Sequence, residues 1–293
     1  MGVINLNRPP PAASLQTPAA SPKAPAASPQ TPADVPHPAL ADAVESVTIR
    51  SIDDIHAAAV AMQAFAASHG LRAALCDDIA SKEPMVDADG SVLAAETFGW
   101  LADGERWWEN HRLALSSPLP RACRYESEPF WCNGEGFHTT APNPYLEEIN
   151  LHRFFSANVR YSAAIVVPVH LPFAQVSANS FNISNPSLTD LSELFAAVGT
   201  ELGAVTRRFI TSYVAVMRTK RRIPSDCELS KREVECLRWA ALGKTDREVG
   251  IIIGLSHATV RYHIHRAGER LNSVNRAQTI FKAGQLGYLG ASS

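Results

Sequence analysis

Residues 256–271 read Ser-His-Ala-Thr-Val-Arg-Tyr-His-Ile-His-Arg-Ala-Gly-Glu-Arg-Leu. Wound as a helix, Val260, Ile264, Ala267 and Leu271 share one narrow arc that must face a core. The opposite arc holds Ala258, Thr259, Tyr262, His265, Arg266 and Glu269, with Arg261 at its edge. Arg261 and His265 stand four residues apart and project from the same side. An arginine offers a planar fork of donors that matches O6 and N7 of guanine, and the major groove of DNA admits one helix. The chemistry on this face is base reading, so double-stranded DNA is the expected partner. His263 lies near the apolar arc and is expected to pack or bridge to backbone. His257, His263 and His265 lack a further ligand at helical spacing, so no metal is expected.

Catalytic patterns are missing elsewhere. There is no Gly-x-Ser-x-Gly, no His-Glu-x-x-His and no phosphate loop. No enzyme activity and no cofactor are expected. The five cysteines are odd in number, widely spaced and include no Cys-x-x-Cys pair, which excludes a disulfide framework and a zinc ribbon and suits a reducing cytoplasm.

The elements that hold this helix are written in caps. Ser230 with Glu233, then Thr245 with Glu248, form capping boxes ahead of short apolar runs that end at Gly243 and Gly254. Ser256 caps the third run. A short helix, the turn Gly254-Leu255-Ser256 and a longer helix make a helix-turn-helix inside a unit of four short helices. Charge divides the same way. From Leu229 onward ten Lys/Arg face five Asp/Glu, a local +5, on a chain whose net charge is −2. A basic unit on an acidic body points to a polyanionic partner. Solvation alone explains most basic helices, but not one pinned by a three-residue turn against a shorter capped helix.

Upstream, residues 9–38 are rich in proline and alanine, so residues 1–45 are expected to be an unstructured leader that is not a signal peptide, with order beginning near residue 46. No apolar run is long enough for a membrane span. Ser51 and Asp54 open a helix that stops at Gly70. "LRAALCDD" reads as a strand, "DADG" as a turn into a second strand "SVLAAETF", and "DGERWWENHRLAL" as a helix. Residues 116–150 read as irregular. "YSAAIVVPVHL" and "AQVSANSFNI" form a hairpin in which Pro168 marks an edge strand or a bulge. Thr189-Asp190 caps a long helix whose apolar positions run from Leu194 through Val198, Leu202, Val205 and Phe209 to Val216. The fold expected is an α+β sandwich, an antiparallel sheet flanked by helices, over 46–222, a linker over 223–228, and an all-α four-helix unit over 229–293.

Residues 229–289 resemble the LuxR-type helix-turn-helix domain along its whole length, through "LSKRE", "LGKTDREVG", "GLSHATVRYHI" and "LNSVNRAQ". The resemblance implies base reading by Arg261 and His265 with Tyr262 beside them, and phosphate contacts at Lys244, Thr245, Thr259, Asn275 and Arg276. Gly250 stands where alanine is usual, which should loosen that helix. The upstream region resembles an autoinducer-binding domain, through "SPLPRACRYESEPFW" (117–131) and "AIVVPVHLPFAQVSANSF" (164–181). That implies a small signal molecule as ligand, with Trp108, Ser117, Tyr125, Trp131 and Ala164 at its site. Ser117 replaces the aspartate that accepts the amide N–H of an acyl-homoserine lactone, and Ala164 replaces a glycine. Trp100, Trp107, Trp108 and Trp131 crowd with Phe98, Tyr125 and Phe130. Such aromatics either line a ligand cavity or fill a core, and the sequence leaves both open. The function implied is transcription regulation by a homodimer, with RNA polymerase as a further partner. The alternatives are an upstream domain that only dimerises or binds a protein, and an enzyme domain joined to a DNA anchor. On the last helix, Ala277, Ile280, Ala283 and Gly284 are the expected dimer face.

Overall fold

The computed structural model describes residues 38–100, 117–156, 161–217 and 227–290. The expected leader and the segment carrying Trp107 and Trp108 lie largely outside these residues. Among the described residues the upstream region is one five-stranded antiparallel sheet. Its strands are β1 (Leu71–Ala74), β2 (Phe130–Asn133), β3 (Phe137–His138), β4 (Ala163–Leu171) and β5 (Gln175–Ile183), in the order β1-β5-β4-β2-β3. Period-two alternation sends alternate side chains to two separate cores.

One face carries Leu71, Ala73, Trp131, Ile165, Val167, Val169, Phe181 and Ile183. It is covered by α1 (Pro38–Ser46), α2 (Ile55–Ser68) and the long α6 (Ser192–Met217). The α6 stripe Val198, Leu202, Val205 and Phe209 is buried as its spacing predicts, and Tyr213 extends it. Asp190 caps that helix by accepting the Ser192 amide at 2.8 Å. The other face carries Phe130, Cys132, Ala164 and Val166. Over it lie Leu119 and Ala122 of α4 (Pro118–Ala122), Leu146, Ile149, Leu151 and Phe155, the last from α5 (His152–Ser156).

Four expectations change. Helix α1 precedes the expected onset of order, because Leu40, Ala43 and Val44 have apolar surface to bury against the α6 core. The "DADG" turn forms, with Asp87 Oδ1 accepting the Asp89 and Ser91 amides, but no strand follows it. Val92 makes one bridge to Val86, and Leu93–Glu96 is the short helix α3, as the good helix formers Leu-Ala-Ala-Glu favour. The stretch read as irregular contains β2 and β3, which are too short to show a period. Pro168 lies in β4, a central strand, yet β2 pairs only with Ala163–Val166, so that flank of β4 is open at the proline.

The C-terminal region folds as four helices: α7 (Lys231–Ala241), α8 (Asp246–Ile253), α9 (His257–Arg270) and α10 (Arg276–Gln285). Leu237, Val249, Val260, Ala267, Leu271 and Ala283 form its core. Gln285 of α10 donates through Nε2 to the carbonyl of Phe173 at 3.1 Å. That carbonyl sits at the β4–β5 hairpin tip, where Phe173 and Ala174 both adopt the left-handed region (φ 65° and 58°). Among the described residues no helix is long and apolar enough to cross a membrane.

Candidate nucleic-acid interface

The presentation of α9 is set by its caps. The Thr245 hydroxyl accepts the Glu248 amide at 3.3 Å, and Glu248 Oε2 accepts the Thr245 amide and hydroxyl, both at 2.8 Å. These donors hold the Glu248 carboxyl below its usual range, the Thr245 amide contributing most. Gly254 ends α8 in the left-handed region, φ 69°. The Leu255 amide then returns to the Gly250 carbonyl at 2.9 Å. A Cβ at Gly250 would lie 2.5 Å from the Leu255 carbonyl oxygen. Gly250 therefore permits the close turn, and its effect is not the loosening expected from helix propensity alone. The Ser256 hydroxyl accepts the Thr259 amide at 3.1 Å and meets the Thr259 hydroxyl at 2.8 Å, starting α9.

Val260, Ile264, Ala267 and Leu271 are buried in the four-helix core, as the wheel requires. The Arg261 and His265 side chains are 70% and 74% exposed, and Tyr262 is exposed between them. His263 is half-buried, with its ring edge-on to Tyr262 at 5.6 Å. His265 Nδ1 lies 3.5 Å from Glu269 Oε1 one turn on. Lys244, Thr245, Asp246, Arg247, His257 and Arg276 line a concavity of about 470 Å³ at the N-terminal end of α8. A helix N-terminus rimmed by cations suits an anion.

Two of the expected phosphate residues also brace the fold. Arg276 is bound to Asp246 Oδ1 and donates through Nη2 to the Lys244 carbonyl at 2.6 Å, tying α10 to the start of α8. Asn275 caps α10, accepting the Gln278 amide at 2.9 Å. Asp246, which had no assigned role in the sequence, joins these parts; its one signal was position, beside the Thr245 cap. The expected dimer face is split. Ala283 is buried and Ile280 packs against the unit's own core, while Ala277, Phe281 and Gly284 are exposed. Phe281 is 64% exposed and was missed because the small residues drew the stripe one step away.

The upstream residues converge less. Trp108 lies outside the described residues. Ser117 heads α4, half-buried, with no capping hydrogen bond from its side chain. Ala164 lies in the core beneath α4, on the same side of the sheet. Trp131 belongs to the opposite face and stacks on His138 with centroids 3.6 Å apart. Tyr125 is half exposed and stacks on Tyr145 at 5.4 Å. On the Ala164 side β5 places Ser180 and Asn182, joined at 3.2 Å, and the buried Asn182 Oδ1 has no hydrogen-bond partner among the described residues. The alternation in "QVSANSFNI" was the signal that would have found them. Burial pushes the Cys76, Cys123 and Cys132 thiols well up and the Cys236 thiol to about 11, and no group among the described residues is arranged to hold a metal.

Residues 227–283 match the family model described as "Bacterial regulatory proteins, luxR family". The transcriptional activator protein LuxR of Aliivibrio fischeri is 33% identical over 117 residues, 40% of this chain and 45% of that protein. PhzR of Pseudomonas fluorescens is 41% identical over 69 residues, 24% of this chain and 28% of that protein. The chain thus spans less than half the length of these two relatives. A solved structure of SdiA in complex with octanoyl-rac-glycerol covers 86% of this chain and 96% of its own, at 15% identity and a TM-score of 0.46. The transcriptional activator protein AhyR of Aeromonas hydrophila is 43% identical over 182 residues, 61% of this chain and 67% of its own length. With that much of a relative matched, and with the caps, turn and four-helix core of the matched domain in place, the chain belongs to the LuxR family of bacterial regulatory proteins.

Proposed function

We propose that this chain regulates transcription by binding double-stranded DNA through residues 229–293, with α9 in the major groove. The observation that carries this reading is the exposed row Arg261, Tyr262 and His265, fixed by a buried opposite face and the Gly254 turn. Arg261 and His265 read bases. Lys244, Thr245 and Thr259 meet phosphates, with Asn275 and Arg276 at the edge of the same contact. Cation placement around the concavity and the capped helix starts support that division of labour. One such helix reads few bases, so the chain acts as a homodimer on two half-sites about one helical turn apart. The matched relatives are named transcriptional activators, which supports activation with RNA polymerase as a further partner.

Residues 38–222 form the controlling domain, joined by a linker over 223–228, and a small signal molecule is the reading that family membership favours. Ser117, Ala164, Ser180 and Asn182 share the side of the sheet that would hold it. A second reading has a specific observation behind it. Trp131 faces away from that side, and Leu119, Phe130, Leu146 and Phe155 fill the core there, as in a domain that only dimerises or binds a protein. Native mass spectrometry of the full chain, made in its own host, separates the two. A bound small molecule released on unfolding supports the sensor, and its consistent absence supports the interaction domain. Selection of bound sites from random duplexes tests the DNA reading, which fails if no sequence is enriched.

A further inference from the structure

Asp246 is the first residue of α8, and its side chain is only 16% exposed. It lies between two arginines that come from two other helices. Arg276, at the start of α10, is bound to Oδ1, while Arg261 Nε of α9 stands 3.9 Å from Oδ2. Arg276 is fastened further by the Lys244 carbonyl at 2.6 Å, so it anchors the carboxylate. Arg261 differs. Its side chain is 70% exposed and faces the carboxylate through Nε.

Reading a guanine needs two donors held in one plane and aimed together. An exposed arginine samples many rotamers, and ordering them on binding weakens the discrimination it gives. A fixed carboxylate at Nε narrows that range and leaves Nη1 and Nη2 free to point outward. The same negative charge, set among Lys244, Arg247 and Arg276, also repels phosphates that approach out of register. Both effects favour the correct sequence over an arbitrary one.

We propose that Asp246 is a positioning residue that sets the base specificity of Arg261, holding its guanidinium for a guanine-like edge and penalising non-specific backbone contact. This rests on the DNA reading given above. Arg276 acts one step further back, by holding the carboxylate in place.

The test uses the full chain and selection from a duplex library randomised over about 20 bp, a window that covers two half-sites one helical turn apart. The base position that loses its preference in Arg261→Ala marks the reader. Asp246→Asn is expected to lower the preference there by about tenfold, within the range a bidentate contact supplies, while affinity for unselected duplex rises. Asp246→Glu, which restores the charge, is expected to retain the preference. The proposal is overturned if Asp246→Asn keeps its preference within about twofold of wild type. It is also overturned if Asp246→Asn loses specific and non-specific binding together. Failure of the wild type to enrich any sequence would instead remove the DNA reading, and this proposal with it.

Discussion

Trp131 and Ala164 lie one register step apart on paired strands, yet they face opposite sides of the sheet. Cys132 is the residue opposite Ala164, and Trp131 pairs with Ile165. A single site can take Ala164 with the α4 side of the sheet, or Trp131 with the α6 side, but not both. A ligand held on the α4 side would therefore meet Ser117 and the polar row of β5.

Simple acyl-homoserine lactones should bind weakly. A lactone amide N–H buried in that core needs an acceptor, and leaving it unpaired costs about 1–3 kcal/mol. With Ser117 in place of a carboxylate, affinity falls on the order of ten- to hundredfold. The Ala164 methyl narrows the space further. Calorimetry with short- and long-chain lactones checks this. Binding gained only in Ser117→Asp supports the account, and micromolar or tighter binding by the wild type refutes it.

Phe281 should carry part of the dimer contact. It is 64% exposed on α10, with Ala277 and Gly284 on the same face. Burying a phenylalanine contributes about 1.5–3 kcal/mol, so Phe281→Asp should weaken self-association by roughly ten- to hundredfold. Sedimentation equilibrium reads this. Equal association constants for wild type and variant would place the contact elsewhere.

Gly250→Val should destabilise the four-helix unit. Even a single methyl there meets the Leu255 carbonyl oxygen at 2.5 Å, and this backbone cannot swing aside. Overpacking of this kind costs about 1–3 kcal/mol, more than the few tenths that better helix propensity returns. A thermal midpoint at or above that of the wild type would show that the turn is not held by close approach.

Stability of the same unit should depend on acid through Glu248. Hydrogen bonds from Thr245 keep this carboxyl below its ordinary value of 4.5 in the folded chain. The unfolded chain then binds the proton more readily, so the contribution is full above the ordinary value and is lost as pH falls through the lowered folded one. Glu248→Gln should be less stable at neutral pH and show a shallower acid limb. Parallel wild-type and variant curves from pH 2 to 7 would contradict this.

The helix-turn-helix was legible because each of its boundaries is a local event. Ser230, Thr245 and Ser256 each bond an amide three residues on, and Gly254 supplies the left-handed turn. In the sheet, β1 was legible from its short apolar run, and β4 and β5 from their length. The nine-residue β4 and β5 declared themselves, whereas β2 and β3 have four and two residues and exist through pairing with distant chain. Helix α1 was hidden by its proline-rich surroundings, since only α6 shows what Leu40 and Val44 are for. Site geometry was the least legible part. That Asp246 lies between Arg261 and Arg276 depends on three helices meeting, which no local pattern encodes.

In the proposed complex α9 reads bases while the residues around Lys244 hold the backbone. Fluorescence anisotropy of the full chain on a selected duplex and on an unselected one, across a salt series, separates the two roles. Arg261→Ala should lose about 1–3 kcal/mol on the selected duplex and little on the other. Lys244→Ala should weaken both alike and reduce the salt slope by roughly one phosphate contact. If Arg261→Ala leaves the ratio between the two duplexes unchanged, α9 is not the reading helix.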